Sequence, residues 1–62
     1  KRGIKAIVQQ LQDDYDKGAP VEEVLDMAEQ EGIERSKAEH EVEKLTTNGE
    51  LYQPNNDHLR VI

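Results

Sequence analysis

Three short apolar stripes of helical period, each closed by a glycine, constrain this chain more than any other feature. In the first stripe Ile4, Ile7, Val8, Leu11 and Tyr15 fall at i, i+3, i+4, i+7 and i+11, which is one face of a helix. Lys5, Gln9, Gln12, Asp13 and Asp14 stand between them and face water. The spacing predicts a helix over about residues 3–16. Gly18 stops it, because glycine takes the left-handed conformation at a helix end without steric cost. Asp13, Asp14 and Asp16 oppose the helix dipole there and read as a solvated helix end.

Ala19-Pro20 follows. Proline disfavours a helical Ala19, so this pair is a short extended link, and Pro20 opens the next helix, where a missing N–H costs nothing. Val21, Val24, Leu25 and Ala28 form the second stripe, with Glu22 and Glu23 suiting the positive end of the dipole, over about residues 20–31. Gly32 ends it. A third helix, about residues 35–48, buries Ala38, Val42 and Leu45 and ends at Asn48-Gly49. Its start has two readings. Ser36 caps a Ser-x-x-Glu box with Glu39, or Glu34 caps two residues earlier with Ile33 and Ala38 as a hydrophobic staple; the earlier start is preferred. After Gly49 the period changes. Leu51 to Gln53 and the alternating segment from His58 to Val61 flank the turn formers Pro54-Asn55-Asn56-Asp57, a hairpin over about residues 50–62 with Pro54 at a strand end. Helix, link, helix, tight turn, helix and hairpin make one α+β domain over residues 1–62. That order is a winged helix-turn-helix, three helices packed with a C-terminal two-stranded β-hairpin wing.

The chain has 62 residues, with 34% hydrophobic and 35% charged, so its core must be small. It starts Lys1-Arg2-Gly3 without methionine and reads as a piece of a longer protein. It has no signal peptide, no span-length apolar run and no cysteine, which excludes a disulfide frame and a thiolate zinc site.

No residue pattern here supports catalysis, so no catalytic, cofactor-binding or metal residue is assigned. The glycines are isolated and form no phosphate loop. His40 has only Glu43 as a ligand at helical spacing, and His58 beside Asp57 is a hairpin position. Ser36 lacks an accompanying base or oxyanion donor. The fold invites a DNA reading, with the third helix in the major groove. Fourteen acids against eight bases, a net charge of −6, argue against it. From Glu34 to Gly49 there are three bases and four acids, and the hairpin sets Arg60 against Glu50 and Asp57. Tyr15 fits the core stripe, which leaves Tyr52 without a second aromatic for a single-strand stacking platform. The candidate contact residues, for a protein partner or for weak DNA contact, are Lys37, His40, Lys44, Tyr52 and Arg60, with Lys1, Arg2 and Lys5 as a further basic cluster.

Three stretches carry a family resemblance: Gly18-Ala19-Pro20-Val21-Glu22-Glu23-Val24-Leu25, the run from Ser36 to Leu45 (Ser-Lys-Ala-Glu-His-Glu-Val-Glu-Lys-Leu), and Gly49-Glu50-Leu51-Tyr52-Gln53-Pro54. In this order and spacing the chain resembles the C-terminal winged-helix domain of archaeal minichromosome maintenance (MCM) helicases. The resemblance implies a hexameric, ATP-driven replicative DNA helicase as parent, with its ATP and magnesium sites upstream and no cofactor in this segment. It implies a tethered accessory domain that modulates the motor through contacts with the ATPase ring or with replication proteins. DNA contact would be weak, the isolated domain monomeric without a membrane role, and the setting cytoplasmic, at the nucleoid through the parent. The chain departs from the family where relatives often carry Asp-Pro and it has Glu34-Arg35.

Overall fold

A computed structural model describes residues 3–62, with elements in the order α1 (Ile4–Gln12), β1 (Ala19–Pro20), α2 (Val21–Gln30), α3 (Arg35–Thr47), β2 (Leu51–Asn55) and β3 (His58–Val61). The apolar spacing of the first stripe places Ile4, Ile7, Val8 and Leu11 of α1 inside. Tyr15 does not join them. The helix ends at Gln12, and Tyr15 lies in the turns that follow, 40% exposed. Two features act at that end. No basic residue offsets the negative dipole terminus while three aspartates follow it. The Gln12 side chain also turns to the sheet, where its Oε1 accepts the Val61 N–H at 2.8 Å.

Gly18 therefore does not stop the helix. It has φ +107°, and a Cβ there would lie 2.7 Å from the Leu59 carbonyl oxygen and 2.7 Å from Arg60 Cγ. The residue is glycine because β3 passes directly over it. Gly32 and Gly49, at φ +89° and +78°, do end helices. After α2, Gly32 N–H bonds to Glu29 O (3.0 Å) and Ile33 N–H to Ala28 O (2.9 Å). After α3, Gly49 N–H bonds to Thr46 O (3.1 Å) and Glu50 N–H to Leu45 O (2.9 Å). Both are Schellman motifs.

The extended Ala19-Pro20 link is a strand. The sheet is three-stranded, in the order β1-β3-β2 with antiparallel pairing, so the hairpin is joined by a third strand. Ala19 pairs with Leu59 and Pro20 with His58. Pro20 precedes α2 as its N-cap rather than opening it as the first helical residue, and the freed Val21 N–H is bonded by Asp57 O at 2.9 Å. That bond ties the hairpin tip to the start of α2. In β2, Tyr52 pairs with Arg60 and Asn55 with His58, three residues against two. The extra residue is a bulge on an edge strand around Pro54, which thus sits inside the strand where a lost ladder N–H is tolerated, not at its end. Asn55 Oδ1 accepts the Asp57 N–H at 2.9 Å, an Asx turn, and His58 Nδ1 lies 2.8 Å from the same oxygen.

The core joins the α1 stripe to Ala19, Leu59 and Leu51 of the sheet, Val24, Leu25 and Ala28 of α2, and Ala38 of α3. Val42 and Leu45 are half-buried against this core, not within it. Glu34 is the N-cap of α3, without a side-chain cap bond, and Ser36 is exposed in the first turn. Ile33 and Ala38 occupy the two staple positions, Ala38 within the core cluster and Ile33 half-buried against it.

Candidate interaction surface of the third helix and hairpin

A DNA-reading helix must present cations free to meet phosphate. The geometry of α3 removes one of its three bases. Arg35, at the first helical position, reaches back to α2. Its Nη1 bonds Asp26 at 3.1 Å and Glu29 at 3.0 Å, and its Nη2 bonds Glu22. The three acids recur at i, i+4 and i+7 on the outer face of α2, so one guanidinium spans them. The hydrogen bond to Asp26 chiefly, then that to Glu29, raises the guanidinium pKa further, against some desolvation. Arg35 ties the two helices by charge.

That leaves Lys37 and Lys44 on α3 against Glu34, Glu39, Glu41 and Glu43. Lys37, His40 and Lys44 are exposed, and neither lysine makes an ion pair among the described residues. Lys37 borders a hollow of about 260 Å³ with Gly3, Ile4, Gly32, Ile33 and Glu41. Tyr52, 43% exposed, and half-buried Arg60 are cross-strand partners. They share the outer sheet face, because Leu51, Leu59 and Ala19 face the core. The stem of Arg60 covers Gly18. The five candidates thus form two groups, three on a flank of α3 and two on the hairpin, and no hydrogen bond or ion pair joins the groups among the described residues. Lys5 is paired with Glu50 at 3.2 Å, and Lys1 and Arg2 lie outside the described residues.

Between the other flank of α3 and β2 runs a second groove, about 270 Å³, lined by Glu39, Val42, Glu43, Thr46, Thr47 and Gln53. Sequence reasoning does not find it. Gln53 stands beside Glu43 only because the Schellman turn at Gly49 folds β2 back along α3. The Arg35 network did leave a signal, the i, i+4, i+7 acids on α2. Among the described residues there is no cluster of His, Cys, Asp or Glu placed to hold a metal ion, and no helix long and apolar enough to cross a membrane.

No curated protein and no solved structure matches the chain. The profile of the MCM protein C-terminal winged helix-turn-helix domain matches residues 2–62. Three helices, a helix-turn-helix joint at Gly32 and a small antiparallel sheet agree with that description. The chain belongs to this family, and is the C-terminal winged-helix domain of an MCM helicase, an ATPase.

Proposed function

We propose that this domain is a non-catalytic regulatory module that modulates the ATPase and unwinding activities of its helicase through protein contacts, with the ATPase ring in cis or with a replication protein. The observation that carries this reading is the charge on α3. With Arg35 held by α2, two lysines face four glutamates along the helix that would otherwise enter a DNA groove. The short hairpin supports it too. Its tip is bonded to the start of α2 and does not reach outward as a separate arm. ATP and magnesium act elsewhere in the parent.

Deleting residues 1–62 from the full-length helicase, with ATPase and unwinding measured with and without replication partners, tests the reading. A changed rate is expected. Unaltered rates under every condition overturn it. Titration with duplex and forked DNA gives the competing outcome. Affinity tighter than about 10 µM that falls steeply with salt means that phosphates are being neutralised, and DNA contact would then rank first.

A further inference from the structure

We propose that the groove between α3 and β2 is the docking site for a basic, amphipathic segment of a partner protein. This deepens the regulatory reading above and rests on it. Glu39 and Glu43 stand one turn apart on the groove wall, exposed, and form no ion pair among the described residues. Like charges at that spacing repel and weaken a helix. A cation between them turns the repulsion into attraction. Half-buried Val42 lies on the same wall, between the two carboxylates in sequence. The Thr46 hydroxyl is bonded to the Val42 carbonyl at 2.8 Å and so turns toward the helix backbone.

The groove therefore sets half-buried Val42 beside two exposed carboxylates. A Lys or Arg side chain fits that combination, with its stem on Val42 and its head at the carboxylates. A phosphate backbone does not, since both glutamates repel it. The lysines of α3 do not satisfy the site from within, since Lys37 lies on the opposite flank beside Ile33 and neither it nor Lys44 makes an ion pair among the described residues. A net charge of −6 also steers a basic partner toward the domain. The groove's volume, about 270 Å³, suits a few side chains of a segment rather than a folded surface.

The test uses the 62-residue chain, isotope-labelled for NMR, and a synthetic amphipathic peptide with Lys and Leu at helical spacing. Spermidine serves as a cation without an apolar face. Saturable shifts are expected at the amides of Val42, Thr46, Thr47 and Gln53. The Glu39→Gln/Glu43→Gln variant should weaken peptide binding about tenfold, by loss of charge-assisted hydrogen bonds. Asp14→Asn/Asp16→Asn removes the same charge elsewhere and should leave affinity within about twofold, as expected of screened distant charges. Equal weakening by both variants, shifts spread over the whole acidic surface, or equal binding of spermidine at the groove would overturn the proposal. Both glutamates are exposed, so a wild-type melting curve for the variant shows that folding is intact. In the full-length helicase, deletion that changes the rates while Glu39→Gln/Glu43→Gln does not would reject the groove and keep the regulatory reading.

Discussion

Helices α1 and α3 both carry an apolar stripe, but that of α3 is sparser, with only Ala38, Val42 and Leu45 apolar in its length, and the two hold different positions in the fold. α1 has nine residues and buries four of them; α3 has thirteen and buries only Ala38. Their surroundings differ as well. α1 is covered by the sheet on one side and by α2 on another, and its stripe forms the centre of the core. α3 rests on α2 and the edge of β2, so Val42 and Leu45 remain half-buried. Stability thus resides where α1 meets the sheet. The third helix is held lightly and presents most of its surface, which is what a contact surface requires.

Truncation of the two stripes would break this comparison most directly. Ile7→Ala removes a fully buried side chain and should cost about 2–5 kcal/mol, whereas Leu45→Ala should cost less than about 2 kcal/mol, because half-exposed atoms leave a smaller cavity. Urea melts measure both, and equal losses would mean that α3 belongs to the core as much as α1 does. The glycines separate the two halves on a smaller scale. Gly18→Ala forces a Cβ against the Leu59 carbonyl in a left-handed conformation and should cost about 2–3 kcal/mol. At Gly49 the same change meets open space, so only the conformational cost of about 1 kcal/mol applies. Reversal of that order would show that β3 does not pass closely over Gly18. The smallest effect belongs to Arg35→Ala. Its partners are largely exposed, so the melting temperature should fall less than for any of these variants, and the difference should vanish in about 1 M salt, where screening acts within roughly 3 Å.

The helices and their order could be read in the sequence because apolar period and glycine punctuation are local signals. Gly32 and Gly49 act through bonds within six residues of chain, and Ile33 and Ala38 bracket the start of α3 in the same local way. Less of the candidate surface was legible. Lys37, His40 and Lys44 could be placed on one helix, but whether each base is free depends on neighbours distant in sequence. Arg35 appeared as one more cation of α3, and only its position beside α2 shows that it is neutralised. Tyr15 continued the first stripe by spacing, yet it lies beyond the point where Gln12 turns to Val61.

The order of amino acids alone encodes three amphipathic helices, the C-terminal stops of α2 and α3, and a terminal hairpin. These follow from side-chain periodicity and from the conformational freedom of glycine, both properties of neighbouring residues. Tertiary structure alone decided that Ala19-Pro20 is a strand, that Gly18 must lack a side chain, and that α3 stays half-exposed beside an acidic groove. Each of these depends on a backbone or side chain brought close from tens of residues away, and no local pattern encodes that approach.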